Sequence, residues 1–375
     1  MSLDKILLKH YELYPEMQIQ DMVKLIYQNE FGGGHLIKNK EDSLKRLQEE
    51  YHSIGGYSFS CNQSDGSINS NMEQHNQLFV DIGNNLCRLD LKVLKKIRDK
   101  NICNIDLKTI NSFFVNTSNS VFGSIQRFEK KLEILMECCR SKILPYHVTE
   151  VEDYLREYKA KGYPAVSHSE VYRSAYSPSY RVVEARYRNF FEIFCKIDVL
   201  LKSKDRVIVA IDGNCCSGKT TLASFVANVY HECNVFHMDD FFLTPELRTE
   251  KRMKEVGGNV DYVRFKNEVI EGLKSGKEFC YRKYDCRQQI LLEPTKVIPG
   301  KLNIIEGSYS MHPTLRENYD LKIFLHVDPE EQSRRILERN GEQMHKIFIN
   351  LWIPLENTYF TEMRIREQCD LVFKT

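Results

Sequence analysis

Residues 213–220 fit the pattern G-x-x-x-x-G-K-[ST] at every fixed position. The glycines let the backbone wrap around a phosphate, the lysine supplies a positive charge, and the threonine hydroxyl is a ligand for Mg²⁺. The apolar run at 206–211 predicts a strand before this loop, and the residues at 219–231 predict a helix after it. We therefore predict that the chain binds ATP and Mg²⁺ through Gly213, Asn214, Cys215, Cys216, Ser217, Gly218, Lys219, Thr220 and Thr221.

Acidic residues follow two further apolar runs. Asp239 and Asp240 come directly after the run at 234–238, and Glu306 ends the run at 302–306. Phosphoryl transfer to an alcohol needs a carboxylate that orients the hydroxyl and takes its proton, a role that either aspartate suits. Glu306 could hold Mg²⁺ together with Thr220, and Asp239 is a further candidate ligand. The alternatives are a helix cap for the aspartates and a simple strand-end turn for Glu306.

Arginines on a predicted helix at 329–339 are the next candidates. Arg334, Arg335 and Arg339 could reach the phosphates when a lid closes, and closure would exclude water that competes with the alcohol. We assign Arg335 a catalytic role and Arg339 a nucleotide-binding role. The alternative is an ordinary solvated helix face.

Two segments between the Asp239 and Glu306 strands could build an acceptor pocket. Asp261 could bind a sugar diol, Tyr284 could stack on a base or bond to it, and Arg287 lies close by in the chain. The alternatives are a helix cap for Asp261 and a packed core position for Tyr284.

Strands and helices alternate from residue 206 onward. Predicted strands lie at 206–211, 234–238, 302–306, 321–327 and 370–374, and predicted helices lie at 219–231, 261–274, 329–339 and 354–368. This order predicts an α/β fold with a parallel sheet covered by helices on both faces, and ligands in such sheets bind at the carboxyl ends of the strands. Residues 1–200 lack that alternation. Helical spacing at 17–30, 86–100 and 121–142, and a helix at 183–203, predict a mainly α-helical N-terminal domain before a kinase-like domain at 201–375.

The order of these features resembles the uridine kinase and phosphoribulokinase group of P-loop kinases, the uridine kinase branch in particular. The resemblance covers about residues 205–375 and rests on the loop, Met-Asp-Asp-Phe-Phe at 238–242, Ile-Glu-Gly at 305–307 and the arginine helix. It implies that Asp239 is the catalytic aspartate, that Thr220 and Glu306 bind Mg²⁺, and that Asp261 and Tyr284 bind the acceptor. It also implies that Arg335 and Arg339 are lid arginines. Gln289 stands where the uridine branch usually has a base-reading histidine.

We therefore expect an ATP-dependent kinase of a small metabolite, with the 5′-hydroxyl of a nucleoside such as uridine or cytidine as its first candidate acceptor. Two alternatives stay open. One is a kinase of another alcohol, such as a sugar phosphate, a pantothenate-like alcohol or another ribonucleoside. The other is a nucleotide-regulated switch whose N-terminal domain is the working module.

Composition and net charge indicate which classes of binding partner to expect. The net charge of +1 does not indicate a nucleic-acid surface, and no apolar run reaches the length of a membrane span. The start of the chain lacks a signal-peptide pattern, so we expect a cytoplasmic protein, and a homo-oligomer is compatible with the sequence. The 12 cysteines include no C-x-x-C pair, which favours free thiols in a reducing compartment. A thiolate is expected at Cys215 and Cys216, because a lysine and a helix N-terminus lie beside them.

Two patches in the N-terminal part carry glycine, histidine and acidic residues. Glu30 and His35 flank three consecutive glycines, and His168 and Glu170 lie in the second patch. Together they could form a metal or small-ligand site. The alternative is a glycine turn with ordinary buried polar groups.

Overall fold

The structure, a computed structural model, describes residues 1–34, 37, 39–55 and 77–375. The chain divides into two compact units, Met1–Cys195 and Lys196–Thr375. The boundary expected from the sequence at residue 200 lies within the same helix, Phe191–Ser203.

Helices make up most of the first unit, as expected for a mainly α-helical domain. Side-chain caps start several of them: the Asp90, Asp106 and Ser124 side chains each accept a hydrogen bond from a backbone N–H in the first turn. Apolar side chains such as Leu25 and Phe128 form the core between the helices. The helices are Leu3–Leu13, Ile19–Phe31, Lys40–Ser53, Leu91–Asp99, Leu107–Ser120, Ile125–Arg140, Val148–Ala160, Glu170–Tyr176, Ala185–Asn189 and Phe191–Ser203.

A three-stranded antiparallel sheet also belongs to the first unit. It joins Phe79–Gly83, Leu86–Asp90 and Tyr180–Glu184 in that order. Asn84 and Asn85 connect the first two strands with φ values of 52° and 57°, the left-handed conformation that tight hairpins favour. The helices predicted at 86–100 and 183–203 are therefore wrong at their starts. A short apolar run contains too few residues for its periodicity to distinguish a strand from a helix. The helix in the first of these segments begins only after Asp90, which caps its N-terminus.

One disulfide closes part of the first unit. Cys103 and Cys195 are bonded, with their Cα atoms 5.8 Å apart. The prediction of free thiols is wrong for this pair. Sequence could not reveal the pairing, because the two cysteines lie 92 positions apart. Among the described residues, the free cysteines are Cys87, Cys138, Cys139, Cys215, Cys216, Cys233, Cys280, Cys286 and Cys369.

A five-stranded parallel sheet forms the centre of the second unit. Its spatial order is Leu371–Lys374, Leu321–His326, Val207–Gly213, Leu302–Glu306 and Cys233–His237. Every neighbouring pair is parallel. These are the strands that the sequence predicts, and the α/β fold class is confirmed.

Helices cover both faces of this sheet. Apolar side chains on one face, including Ile208 and Phe236, pack with Phe265 and Tyr359 from helices that follow later in the chain. The predicted helix at 261–274 is present as an α, π and α succession. The one at 329–339 is followed by a second helical stretch that ends at Ile347, and the two are separated by a kink at Gly341, where φ is 75° and ψ is 173°. The helices are Lys219–Ala227, Glu250–Lys254, Tyr262–Phe265, Lys266–Ile270, Glu271–Ser275, Pro329–Ile347, Phe348–Trp352 and Ile353–Glu362.

Two small antiparallel pairs in the second unit are absent from the sequence prediction. Phe279–Tyr281 pairs with Thr295–Val297, and Tyr284–Asp285 pairs with Ile290–Leu291. Strands of two or three residues are too short for alternation to show.

Over the described part of the chain, no helix combines the length and the apolar character that crossing a membrane requires.

Candidate active site

The loop at 213–220 follows a strand that is buried along its whole length. Gly213 has φ 141°, and a Cβ atom built there would lie 1.9 Å from the carbonyl oxygen of Leu325 on the neighbouring strand. Gly218 at φ 87° leads into the helix Lys219–Ala227. The first fixed glycine is therefore required by close packing, and the second by the turn into the helix.

Lys219 is buried within its own loop. Its side chain donates hydrogen bonds to the carbonyl oxygens of Gly213 at 2.9 Å and Asn214 at 2.8 Å. An ammonium has three donors, so one remains for a ligand, and the other two can be exchanged for phosphate oxygens. The charge is thus already held beside the helix N-terminus where a phosphate binds.

Thr220 and Glu306 meet where the helix start faces the end of the adjacent strand. The Thr220 hydroxyl donates to Glu306 Oε1 at 2.9 Å, and His237 Nδ1 lies 2.5 Å from the same oxygen. The hydrogen bond to Glu306 raises the pKa of His237. Parallel register explains the meeting, since Glu306 pairs with Ile211 on one side and with His237 on the other.

These oxygen donors fit a Mg²⁺ ion. Hydroxyl and carboxylate oxygens are the ligands that Mg²⁺ prefers, and it commonly takes one or two protein ligands together with substrate phosphates. The described residues contain no cluster of three or more His, Cys, Asp or Glu side chains that could enclose a metal.

Asp239 lies in the short 3₁₀ turn Met238–Phe241, directly after the strand Cys233–His237. Its carboxylate opens into the cleft that Lys219 also lines. Surrounding protein atoms still desolvate it enough to raise its pKa, while the Lys219 charge acts in the opposite direction. Asp240 is different: it forms an ion pair with Lys283 at 3.1 Å. The structure thus separates two adjacent carboxylates that the sequence presents as equivalent candidates.

The cleft has a volume of about 790 Å³. Its walls include many of the predicted site residues: Cys215, Cys216, Gly218, Lys219, Thr220, Thr221, Asp239, Glu306, Arg335 and Arg339. The remaining loop residues Gly213, Asn214 and Ser217 do not line it, although they shape the loop. This volume accommodates a nucleotide tail and part of a second small molecule.

Apart from Asp239, the predicted acceptor residues do not line this cleft. Asp261 is buried, caps the helix Tyr262–Phe265 through the Arg264 N–H at 3.0 Å, and lies 3.4 Å from the Arg264 Nε. Tyr284 is buried, and its hydroxyl accepts a hydrogen bond from Arg248 at 3.4 Å. Arg287 and Gln289 are exposed. Their roles stay predictions, and Asp261 and Tyr284 occupy the cap and core positions given above as alternatives.

Arg335 and Arg339, the predicted lid arginines, line the cleft from the helix Pro329–Ile347. Arg335 donates to the carbonyl oxygen of Cys216 at 3.2 Å and to Glu331 at 2.7 Å. Arg339 is exposed. Arg334 instead bonds to acidic residues of its own helix, Glu331 and Glu338. The same helix therefore carries one arginine directed to solvent and two that line the cleft.

Glu356 is a buried acid of the cleft that sequence reasoning did not find. Its carboxylate accepts hydrogen bonds from the Cys215 N–H at 2.9 Å and from the Ser308 hydroxyl at 2.7 Å. Ser308 also lies 3.1 Å from the carbonyl oxygen of Gly213. Glu356 comes from the helix Ile353–Glu362, so no local pattern connects it with the loop.

Aromatic residues form another part of the wall that the sequence did not reveal. Phe242, Phe348 and Trp352 line the cleft, and the rings of Phe242 and Trp352 lie 6.2 Å apart. Phe242 belongs to the Asp-Asp-Phe-Phe run, which was a signal in the sequence. Phe348 and Trp352 had no such signal.

The expected thiolates at Cys215 and Cys216 are wrong. Burial raises the pKa of both thiols, and the Glu356 charge further raises that of Cys215. Desolvation and the nearby acid outweigh the lysine and the helix N-terminus on which the expectation rested.

In the N-terminal unit, the structure does not unite the described members of the two patches. Glu30 forms ion pairs with Lys131 at 2.7 Å and with Arg127 at 2.9 Å. His168 bonds to Asp21 at 2.8 Å. Glu170 is exposed, and His35 lies outside the described residues. The alternative of ordinary buried polar groups describes Glu30 and His168.

No family model matches the chain. It is 27% identical over 144 residues to uridine kinase-like protein 5 of Arabidopsis thaliana, covering 36% of this chain and 31% of that protein. It is 28% identical over 162 residues to a bifunctional alpha-galactosidase/sucrose kinase of Mediterraneibacter gnavus, covering 38% of this chain and 17% of that protein. It is also 26% identical over 172 residues to the inorganic pyrophosphatase TTM2 of Arabidopsis thaliana, covering 43% and 24%.

Among solved structures, a possible uridine kinase from Bacillus stearothermophilus has a TM-score of 0.37 and 22% identity, covering 48% of this chain and 99% of that chain. D-glycerate 3-kinase from Cryptococcus neoformans has a TM-score of 0.34 and 15% identity, covering 45% and 86%. The chain spans about a third or less of the length of the curated relatives given above. The resemblance to uridine kinase-like P-loop kinases is confirmed by the first of those relatives.

Proposed function

We propose that this chain transfers a phosphoryl group from ATP to a hydroxyl of a small metabolite, with the 5′-hydroxyl of a nucleoside such as uridine or cytidine as the first candidate. The observation that carries this proposal is the shared cleft of Lys219 and Asp239. A charge that holds a triphosphate and a carboxylate that orients an alcohol face one space. Similarity to uridine kinase-like protein 5 supports the nucleoside as acceptor.

Lys219 and the backbone N–H groups at the start of the helix hold the β- and γ-phosphates. The lysine exchanges its two hydrogen bonds to loop carbonyls for bonds to phosphate oxygens. Because the loop is braced by Leu325 on the neighbouring strand, it keeps its shape during this exchange. The phosphates are thus bound by a preformed site.

Thr220 and Glu306 are the residues that would hold Mg²⁺, with Asp239 as a further candidate. Mg²⁺ held by these residues would offset the negative charge of the phosphates. His237 orients Glu306 through its hydrogen bond to Oε1, leaving Oε2 free of that contact.

Asp239 orients the acceptor hydroxyl and takes its proton. A general base is most effective when its pKa approaches the working pH, and partial desolvation moves the pKa of Asp239 in that direction. Arg335 and Arg339 offset the charge that develops on the transferred group, because both side chains reach the cleft from one helix.

Aromatic side chains in the cleft support a ring-containing acceptor. Phe242 and Trp352 could stack on a base or cover the apolar face of a sugar. A second candidate, phosphoryl transfer to another alcohol, is favoured by the positions of Asp261, Arg287 and Gln289 outside the cleft walls. The relative with sucrose kinase activity in its name fits this candidate.

The test is ADP release by the full chain with ATP, Mg²⁺ and a panel of nucleosides, sugars, sugar phosphates and pantothenate. Acceptor-dependent ADP release with uridine or cytidine supports the first candidate, and release only with another alcohol supports the second. Lys219→Met, which removes the phosphate-binding charge, should abolish either activity. Slow ATP hydrolysis that no acceptor stimulates would refute both and favour the nucleotide-regulated switch.

A further inference from the structure

The first unit contains a buried arginine whose charge the described residues do not neutralise. Arg88 is 4% exposed, and its guanidinium donates to the neutral Gln28 side-chain oxygen at 3.0 and 2.8 Å. It lies over the ring of Tyr180, 4.6 Å from the ring centre. No carboxylate of the described residues is within ion-pair distance of it. A buried cation in such a setting is costly unless an anion compensates it.

Arg88 borders a small cavity of about 50 Å³, walled by tyrosines that include Tyr14, Tyr172 and Tyr176. A larger cavity of about 710 Å³ lies next to it. Lys92 and that segment line both cavities. The two cavities are therefore neighbours, and the Arg88 guanidinium borders the smaller one.

The larger cavity is also rich in positive charge. Lys24, Lys92 and Arg173 line it, against one acid, Glu50. The Glu50 carboxylate already forms an ion pair with Arg181 at 2.7 Å. Arg173 is likewise paired, with Glu170 at 3.2 Å. Lys24 and Lys92 have no ion-pair partner among the described residues, and they give the cavity its excess of positive charge.

His168 adds no positive charge to this balance. Burial lowers its pKa to about 4, so its ring is neutral at physiological pH. Both ring nitrogens are already used, by Asp21 at 2.8 Å and by the Tyr180 hydroxyl at 2.6 Å.

The two lysines are positioned rather than free to move. Lys24 donates to the carbonyl oxygen of Val166 at 2.8 Å, and Lys92 donates to that of Tyr176 at 3.0 Å. Each ammonium thereby uses one of its three donors and keeps two. Burial and the nearby Arg88 charge lower the pKa of Lys24 to about 8, which an anion in the cavity would reverse.

We infer that the first unit binds a small anion, carrying a phosphate or a carboxylate group, between Lys24 and Lys92 with Arg173 at the rim and Arg88 behind. This inference does not depend on the proposed kinase activity, because every residue of the site belongs to Met1–Cys195. The tyrosines beside Arg88 provide an apolar wall for the organic part of such a ligand.

The test is a nuclear magnetic resonance titration of the full chain, labelled on its tyrosine side chains, with inorganic phosphate and separately with acetate. Sodium chloride keeps the ionic strength constant. The titrations use the Lys219→Met background, so that phosphate binding at the loop of the second unit is weakened. Lys24→Met and Lys92→Met are the site variants. Lys45→Met, an exposed lysine whose only ion pair is with Glu49 among the described residues, is the matched control.

We expect saturable shifts of tyrosine signals with at least one of the two anions. The dissociation constant should rise by about tenfold or more in each site variant, as for the loss of a charge-assisted hydrogen bond, and stay unchanged in Lys45→Met. A response to phosphate alone assigns a phosphate ligand, and a response to acetate alone assigns a carboxylate.

Equal dissociation constants in the parent and both site variants, or no saturable shift with either anion, would overturn the inference. Circular dichroism checks that each variant is folded. Arg173→Gln, at an exposed position, replaces any lysine variant that fails this check.

Discussion

Replacing Asp239 with asparagine separates its chemical role from its structural role. The amide keeps the size and shape of the carboxylate but cannot accept the proton of the acceptor hydroxyl. Asp239 opens into the cleft, and no hydrogen bond to its carboxylate is present among the described contacts. We therefore expect Asp239→Asn to fold normally and to retain its affinity for ATP.

The rate should fall by about 100-fold or more, because general-base catalysis typically contributes about 10²- to 10⁴-fold. A 100-fold loss corresponds to about 2.7 kcal/mol of transition-state stabilisation. The loss should appear in kcat. The midpoint of thermal unfolding should not decrease, because the raised pKa of Asp239 means that the folded protein disfavours its charged form.

Asp240→Asn is the matched control. Asp240 is adjacent in sequence and also acidic, but its charge is paired with Lys283 at 3.1 Å. We expect it to change kcat by no more than a few-fold. The assay is coupled ADP release with the best acceptor of the panel, together with direct measurement of ATP binding. Near-normal kcat in Asp239→Asn, or an equal loss in both variants, would refute the assignment.

Four further predictions follow from the site and its surroundings. Thr220→Val should weaken Mg²⁺-dependent ATP binding by about tenfold through loss of an oxygen ligand, and calorimetry with and without Mg²⁺ would show it; equal weakening without Mg²⁺ would contradict the metal role. Mass spectrometry after brief alkylation at pH 8 should find Cys280 modified well before Cys215, whose burial and raised pKa protect it; the reverse order would show an open loop. Trp352 is the single tryptophan of the chain, so acceptor binding should change its fluorescence, and an unchanged spectrum at saturating acceptor would remove it from the pocket. Burial raises the pKa of Asp212 to about 6, so its stability contribution is present below pH 4 and is lost as pH rises through 6. As the pH rises from 4 through 6, the free energy of unfolding should therefore fall by up to about 3 kcal/mol more in the parent protein than in Asp212→Asn. Parallel curves for the two proteins would contradict this.

The positions of the strands along the second unit and the chemistry of its loop were predictable from the sequence, because both depend on local patterns. The run at 207–211 is apolar throughout, and the G-x-x-x-x-G-K-[ST] spacing fixes the loop that follows it. The carboxyl ends of parallel strands meet at one edge, which is why Glu306 and Thr220 could be paired in advance.

Contacts between distant segments could not be predicted in this way. Glu356 reaches the Cys215 N–H from 141 positions away, and no spacing rule connects them. Asp261 illustrates a different difficulty, since a single aspartate before a helix serves equally as a cap and as a ligand. In the structure Asp261 makes local contacts with Arg264, and its role toward an acceptor stays a prediction.

In the first unit, the sequence did not distinguish the short strands from the starts of helices. A five-residue strand such as Leu86–Asp90 is buried on both sides, so its side chains show no alternation of polar and apolar character. The disulfide between Cys103 and Cys195 likewise depends on tertiary proximity alone.

The phosphate-binding loop depends on a residue far outside its own eight positions, because the Cys215 N–H donates a hydrogen bond to Glu356. A shortened protein ending before Ile353 would keep all eight residues of the phosphate-binding loop. The Cys215 N–H would nevertheless lose its acceptor, and the Ser308 hydroxyl would keep only its contact with the Gly213 carbonyl oxygen. A search for the eight-residue pattern alone would therefore classify such a fragment as able to bind a phosphate. The fragment would nevertheless lack the Glu356 contacts that hold the loop in its shape.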